Sequence, residues 1–146
     1  MHILVLNGPN LNMLSHREAS HYGGQSLEAI ESAIRKAYPD VSFDFFQSNH
    51  EGALIERIHQ AVKKQDLHGV MANFGGFTHT SVAIRDALSM LSVPKVEVHL
   101  SNIHAREEFR HTTLTGAVCN GIIAGFGAKS YHYGVQALLH LIHPAS

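Results

Sequence analysis

The sequence contains a single cysteine, few charged residues and no long apolar run. Cys119 is alone among 146 residues and can form no internal disulfide, so we expect a reducing, cytoplasmic compartment. Charged residues make up 16% of the chain and the net charge is -1, which argues against a nucleic-acid binder with a basic patch. Every apolar stretch is shorter than the about 20 residues that cross a membrane, and the first is too short for a signal peptide. We therefore expect one domain, residues 1–146, that binds no membrane.

Histidine is abundant, with 13 residues against 11 lysines and arginines together. No His-Glu-x-x-His motif and no cysteine pair accompanies these histidines. His140 and His143 could share a helix face, but no carboxylate stands beside them in the sequence. No lysine has a context that suggests a Schiff base. We therefore expect neither a metal nor any other cofactor.

Apolar runs and helical periodicities alternate along the chain. Strands are predicted at 2–7, 41–46, 70–73, 95–100 and 118–126. Helices are predicted from a Ser26 cap to Ala37, through Leu54–Val62, over Ser81–Leu91, and along Val135–Ile142. This alternation predicts an α/β domain with a five-stranded parallel sheet, helices on both faces, and the flavodoxin-like strand order 2-1-3-4-5.

Polar residues follow three of the predicted strands. Asn10 comes after the first strand, Asn73 ends the third, and Ser101 comes after the fourth. The carboxyl ends of parallel strands meet at one edge of a sheet, where ligands bind. A glycine-rich turn at 75–76 precedes a helix start, and free backbone N–H groups in such turns bind anions. The sequence therefore predicts a small-molecule site at this edge.

Glu97 and His99 share one face of the predicted fourth strand, because strand side chains alternate. A carboxylate bonded to one imidazole nitrogen fixes the tautomer of the ring and supports its charged form, as general acid–base catalysis requires. The same pair could instead be structural. The spacing alone leaves both interpretations open.

A long connection follows the first strand and contains Arg17, Tyr22 and two glycines. Connections of this length are usually functional or disordered, and flanking glycines suit a lid that closes over a ligand, at about residues 15–24. A tyrosine beside an arginine can act as a base, because the positive charge stabilises the phenolate. A solvated loop without function is the other interpretation, and the pattern alone favours it.

Several longer motifs, in this order, resemble those of the type II 3-dehydroquinate dehydratases: LNGPNLNML, YGG, QSNHEG, NFGGFTHTSVAIRDA and EVHLSNIHAREEFR. The resemblance extends from residue 3 to about residue 134. It implies a flavodoxin-like fold and the elimination of water from 3-dehydroquinate, without metal or Schiff base, in the shikimate route or in quinate breakdown. It also implies a homo-oligomer, usually a dodecamer arranged as a tetramer of trimers.

The resemblance implies a role for each candidate site residue. Tyr22 resembles the base, Arg17 the arginine that favours its tyrosinate, and Asn10 the residue that holds a water on the enolate oxygen. His99 resembles the general acid, and Glu97 the residue that orients it. The implied substrate-binding residues are Asn73 with the backbone N–H groups of Leu100 and Ser101 for the carboxylate, His79 and Arg110 for the ring hydroxyls, and Asp86, which reaches a neighbouring subunit's site.

Ala19 departs from the family's lid pattern, which usually has a proline at this position. Proline fixes φ near about -65° and limits the conformations of an open loop. The departure removes no catalytic group. It bears instead on the order of the lid and on the rate at which it closes.

The pattern of residues by itself stops at acid–base chemistry on a small anion, and the substrate comes from the resemblance. The alternative, from another functional class, is a flavodoxin-like domain that binds or senses a small anion without turnover. Conversion of 3-dehydroquinate separates these two functions.

Overall fold

A computed structural model of the protein describes residues 1–22 and 24–144. Its sheet consists of β1 (His2–Asn7), β2 (Ser42–Gln47), β3 (Gly69–Asn73), β4 (Lys95–His99) and β5 (Gly121–Ala124). All neighbouring strands are parallel, and their order is β2-β1-β3-β4-β5. This is the flavodoxin-like order that the sequence predicts. It places the carboxyl ends of β1, β3 and β4 side by side.

The described α-helices are α1 (Ala19–Tyr22), α2 (Leu27–Ala37), α3 (Glu51–Lys63), α4 (Val82–Leu88) and α5 (Lys129–Ile142). Serine caps start two of them, because the hydroxyls of Ser26 and Ser81 accept the N–H groups of Ala29 and Ile84. Within residues 1–22 and 24–144, no helix is long and apolar enough to cross a membrane.

Each face of the sheet has its own apolar core, because successive side chains of a strand point to opposite faces. Ile3 and Val5 of β1 are buried on one face together with residues of α2 and α5. Leu4 and Leu6 are buried on the other face with residues of α3 and α4. Apolar side chains therefore fill most of both faces of the sheet, and polar groups gather at its carboxyl edge.

The fifth strand is shorter than the predicted 118–126. Val118 ends a 3₁₀ turn, Gly116–Val118, and Gly125 has a φ of 100°, which ends the extended backbone. The N–H of Gly116 donates to the Thr113 hydroxyl at 2.8 Å and stabilises the turn. The apolar run around Val118 resembles a strand in sequence, but this local hydrogen bond bends the chain before β5 begins.

The third predicted helix, 81–91, also ends early, at Leu88. Beyond it, the N–H groups of Met90 and Leu91 donate to the carbonyls three residues earlier, those of Ala87 and Leu88. Bonds of this spacing tighten the backbone into a 3₁₀ turn, which rarely continues for long. The other strands, α2 and α3 agree with the prediction to within a few residues, whereas α5 begins at Lys129, six residues before the predicted Val135.

The segment predicted as a lid, residues 15–24, is largely ordered by short helical turns. A 3₁₀ helix, Leu11–His16, leads into it, and α1 ends it at Tyr22. The Tyr22 side chain is only 8% exposed, although it lies on a connection. Gly23, one of the two flanking glycines, lies outside the described residues. The segment therefore has a buried tyrosine of its own, and its action as a lid stays a prediction.

Gly8, directly after β1, lies against the backbone of the residue that follows β3. A Cβ at Gly8 would be 2.3 Å from the carbonyl oxygen of Phe74, so the backbone would have to move. We expect Gly8→Ala to lower the free energy of unfolding by roughly 1–3 kcal/mol, because overpacking forces backbone shifts. Urea denaturation at one fixed protein concentration measures this change.

Gly52→Ala is the matched control, because a Cβ at Gly52 in α3 would meet nothing within 4 Å. Alanine is about 0.8–1 kcal/mol more favourable than glycine inside a helix, so this variant should be as stable as the wild type or more stable. A Gly8→Ala variant with the stability of Gly52→Ala would contradict the close contact of Gly8 with the backbone.

Candidate functional site

A pocket lies at the carboxyl edge of the sheet, next to the ends of β3 and β4. Its space, including the part open to solvent, is about 380 Å³. Residues that the sequence predicts for the site form most of its wall: Arg17, Tyr22, Asn73, His79, His99, Leu100, Ser101 and Arg110. The rest of the wall consists of Leu11, Gly75, Gly76, Ile103 and Arg106.

Glu97 has no exposed surface, and three side chains surround its carboxylate. The Nε2 of His99 lies 2.9 Å from Oε2, the Thr113 hydroxyl donates to Oε2 at 2.7 Å, and the Thr115 hydroxyl donates to Oε1. The Thr113 hydroxyl itself accepts the N–H of Gly116, so its own hydrogen is left for Glu97. Such donors are required, because a buried charge without partners costs several kcal/mol.

His99 is 5% exposed, and its two ring nitrogens have different surroundings. Nε2 faces Glu97, which leaves Nδ1 as the ring nitrogen available to a ligand in the pocket. The carboxylate of Glu97 holds the orientation of the ring. The ring nitrogen that faces the pocket can accept or donate a proton there.

His79 lies beside His99, with the ring centroids 6.3 Å apart in a stacked arrangement. Nδ1 of His79 donates to the carbonyl oxygen of Thr112 at 2.8 Å, since a carbonyl can only accept. Burial holds the pKa of His79 below its usual value, which favours the neutral ring near pH 7. Nε2 then carries no proton and can accept a hydrogen bond from a hydroxyl group in the pocket.

Tyr22 lies between two guanidinium groups. Nη2 of Arg17 donates to the Tyr22 hydroxyl at 2.5 Å, and Cζ of Arg17 is 3.8 Å from the centroid of the ring. Cζ of Arg106 is 5.2 Å from the same centroid. Positive charges at these distances stabilise negative charge on the phenol oxygen. The arrangement is therefore suited to a tyrosine that takes up and returns a proton.

Other residues of the wall carry groups that suit an anion. Asn73, at the end of β3, is almost fully buried and presents a carboxamide. Leu100 and Ser101 follow β4 directly, so their backbone groups border the pocket. The Ser101 hydroxyl accepts from Nη1 of Arg106 at 3.1 Å, which keeps this cation next to the same wall. Amide donors and a cation together favour a carboxylate or a phosphate.

Three residues that the sequence predicts for the site do not line the pocket. Glu97 lies behind His99 and acts on the pocket only through that ring. Asn10 is exposed, has a φ of 69°, and donates its backbone N–H to the Asn49 side chain at 2.9 Å. Asp86 is exposed on α4. The pocket is thus formed without the side chains of Asn10 and Asp86.

Arg106, Thr113 and Thr115 belong to the site but were not predicted. Arg106 stands inside the quoted motif EVHLSNIHAREEFR, so the motif carried a signal for it, as a second cation near the predicted anion site. The two threonines carry no such signal, because they lie between the last quoted motif, which ends at Arg110, and the predicted fifth strand. Only their contacts with Glu97 show what they do.

The abundant histidines are dispersed. His140 and His143, which the sequence places on one helix face, are both exposed near the end of α5. Within the described ranges, no three His, Cys, Asp or Glu side chains are grouped so that they could hold a metal ion.

Comparison with known proteins shows similarity over nearly the whole chain. Residues 1–139 match the family described as Dehydroquinase class II. A 3-dehydroquinate dehydratase from Chlorobaculum tepidum is 55% identical, over 94% of this chain and 93% of its own length. One from Lachnospira eligens is 51% identical over 97% of each chain. The crystal structure of a type II dehydroquinase from Butyrivibrio crossotus superposes with a TM-score of 0.91 at 44% identity, covering 95% of this chain and 97% of that one.

Thr115→Val tests whether the threonine hydroxyls hold the buried carboxylate. Valine keeps the shape of threonine but removes the donor to Oε1 of Glu97. Because a hydrogen bond to a charged group contributes about 1.5–3 kcal/mol, we expect the free energy of unfolding to fall by that amount. Urea denaturation at fixed protein concentration measures it.

Thr112→Val is the control, since Thr112 is exposed and contacts His79 only through its backbone carbonyl. It should change the free energy of unfolding by less than about 0.5 kcal/mol, as surface substitutions usually do. Equal stabilities of the Thr115→Val and Thr112→Val variants would show that the Thr115 hydroxyl contributes nothing to the burial of Glu97.

Proposed function

Since the chain belongs to the class II dehydroquinase family and is a 3-dehydroquinate dehydratase, a hydro-lyase, we propose that the pocket at the ends of β3 and β4 carries the reaction, with Tyr22 as base and His99 as general acid. One observation supports this assignment above the others. The pair Arg17–Tyr22 and the pair Glu97–His99, far apart in the sequence, line or back one pocket. A domain that only binds an anion has no need of two such proton-transfer pairs.

In the proposed mechanism, the substrate carboxylate binds at Asn73 and at the backbone N–H groups of Leu100 and Ser101. The tyrosinate of Tyr22 removes a proton from the carbon next to the ketone, and an enolate forms. His99 then gives a proton to the departing hydroxyl group, which leaves as water while the carbon–carbon double bond forms. Return of the proton from tyrosine to histidine, through solvent, restores the starting enzyme.

Four further residues complete the proposed mechanism. Arg17 stabilises the tyrosinate and the negative charge of the transition state, because a fixed positive charge acts where charge develops. His79 accepts a hydrogen bond from a ring hydroxyl, and its lowered pKa keeps the required nitrogen unprotonated near pH 7. Arg110 donates to a ring hydroxyl from the same wall. Asn10 holds a water on the enolate oxygen when the substrate is bound.

We also propose that residues 15–24 act as a lid. Arg17 and Tyr22 both lie on this segment, so its position decides whether the base is in the pocket. Closure would exclude water and strengthen the charge interactions inside. Ala19, in place of the family's usual proline, leaves the backbone of the open lid less restricted.

Tyr22→Phe tests the assignment of the base. Phenylalanine keeps the ring but cannot take a proton, so we expect kcat to fall by roughly 10²–10⁴-fold while the enone product absorbance reports turnover. Exchange of the proton next to the ketone, followed by NMR in heavy water, should be lost in parallel.

Tyr133→Phe is the matched control, because Tyr133 is exposed on α5, and it should retain the wild-type rate. If Tyr22→Phe exchanges the substrate proton as fast as the wild type, another residue is the base. If the wild-type chain does not convert 3-dehydroquinate at all, the proposal of binding without turnover replaces this one.

We further propose that the chain forms an oligomer of trimers, a dodecamer, in which Asp86 serves the site of a neighbouring subunit. The exposed position of Asp86 on α4, outside the pocket of its own subunit, supports a role at another copy. The exposed Val82 and Met90 flank it on the same segment and would be covered by such contact.

Hybrid oligomers test this proposal. Tyr22→Phe and Asp86→Asn chains carry different tags, are co-expressed, and are purified by both tags; each variant alone should be impaired. If each site combines Tyr22 of one subunit with Asp86 of another, random mixing restores about a quarter of the sites. Hybrids of Tyr22→Phe with the chain carrying both changes should stay inactive.

The absence of restored activity in the doubly tagged hybrids would show that Asp86 does not act on a neighbouring site.

For the compartment, we propose the cytoplasm. Cys119 is a free thiol, and burial raises its pKa to about 12, so it stays protonated and poorly reactive.

A further inference from the structure

Tyr131 of α5 is fully buried beneath the pocket, and the mechanism proposed above does not use it. Its hydroxyl lies between two asparagines that are register partners at the carboxyl ends of adjacent strands, Asn7 of β1 and Asn73 of β3. The Tyr131 hydroxyl donates to Oδ1 of Asn7 at 2.6 Å, and Nδ2 of Asn73 donates to the same hydroxyl at 2.9 Å. All three side chains are buried.

The donor and the acceptor of each hydrogen bond in this small network can be assigned. The N–H of Gly75 donates to the Asn73 side chain at 3.2 Å, and since an N–H can only donate, Oδ1 must face Gly75. Nδ2 therefore faces Tyr131, whose oxygen accepts and whose hydrogen goes to Asn7. One of the two hydrogens of Nδ2 is used by Tyr131, which leaves the other for a ligand.

The surroundings of Tyr131 keep this arrangement rigid. Gly134, one turn later in α5, lets the helix approach the sheet, because a Cβ there would be 2.5 Å from Sδ of Met71. Burial raises the pKa of Tyr131, so the phenol keeps its hydrogen throughout the working pH range. The backbone of Asn73 is also held, because its carbonyl accepts the N–H of Gly8 at 2.8 Å.

We propose that Tyr131 is a positioning residue, whose hydroxyl aims the carboxamide of Asn73 so that one N–H points at the carboxylate of the substrate. This inference rests on the proposed function of the pocket. Without the hydroxyl, Asn73 still exists but can turn about its side-chain bonds, and the donor is no longer prearranged. The substrate carboxylate is bound in the same way before and during the reaction. Weakening its hydrogen bond to Asn73 therefore raises KM and leaves kcat nearly unchanged.

Tyr131→Phe is the direct test, with 3-dehydroquinate as substrate and 3-dehydroshikimate as the calorimetric probe. We expect KM and the Kd of the probe to rise together by roughly five- to thirty-fold, the effect of losing one well-placed hydrogen bond. We expect kcat to stay within about twofold of the wild type. Equal falls in kcat and kcat/KM would place the effect in the transition state and overturn the inference.

A double-mutant cycle separates positioning from general loosening of the helix. If Tyr131 acts through Asn73, adding Tyr131→Phe to Asn73→Ala should change KM by less than about twofold, since the group to be aimed is gone. If the two changes multiply in KM, Tyr131 acts by another route and the inference is wrong.

Tyr38→Phe is the matched control, because the Tyr38 hydroxyl donates to the carbonyl of His132, the residue after Tyr131 in α5. It removes a tyrosine hydroxyl that contacts α5 from the end of α2 and has no contact with Asn73, so KM should be unchanged. A Tyr38→Phe variant with the same rise in KM as Tyr131→Phe would mean that any weakening of α5 affects binding, which contradicts specific positioning.

If Tyr131→Phe does not fold, Asn7→Ala carries the test. This change removes the acceptor that anchors the Tyr131 hydroxyl, so the Tyr131 oxygen is held less firmly against Nδ2 of Asn73. KM should therefore rise again in the wild-type background but not in Asn73→Ala. An unchanged KM in Asn7→Ala would overturn the inference. If the wild-type chain does not convert 3-dehydroquinate, the proposed function itself is wrong. If the wild type is active and Asn7→Ala has the same KM, only the inference about Tyr131 is wrong.

Discussion

A carboxylate without exposed surface, that of Glu97, imposes more on this structure than any other single group. Its charge is tolerated in the interior because an imidazole and two hydroxyls surround it. To supply the hydroxyls, the chain between β4 and β5 must turn at Gly116, which shortens β5. The same carboxylate holds His99 in the one orientation that presents its other nitrogen to the pocket. Strand length and catalytic geometry thus follow from one buried charge.

The two buried hydroxyl networks of the site obey the same rule. In each network, a backbone N–H donates to the first side chain and so determines which of its atoms is the acceptor. Each following hydrogen bond in the network then has only one possible donor and acceptor. Gly116 sets the direction of the Thr113 hydroxyl toward Glu97, and Gly75 sets that of the Asn73 carboxamide. Backbone groups are held by the fold, so they pass their orientation to side chains that touch the ligand. Preorganisation of this kind removes the need to reorder polar groups when charge develops.

The charge of the whole chain is close to neutral, yet the pocket is lined by cations. Arg17 and Arg106 lie beside one tyrosine, and Arg110 borders the same space. In the proposed mechanism, this field stabilises both an anionic substrate and an enolate-like transition state, although the net charge of the chain is only -1. The apolar cores on the two sheet faces leave these charges only one place, the carboxyl edge, where the pocket lies.

The sequence by itself determined the strand order, the edge at which the site lies, and the pair Glu97–His99, because alternation of side chains and the topology of parallel sheets are local and general rules. Its motifs also indicated the reaction. Only the tertiary structure decided that Thr113 and Thr115 contact Glu97 and that Tyr131 contacts Asn73. These residues lie 16, 18 and 58 positions from Glu97 or Asn73, their partners, so no local pattern of the sequence connects them. Their function depends on which buried polar atoms lie within hydrogen-bond distance of their hydroxyls. Those distances are set by the packing of the entire domain.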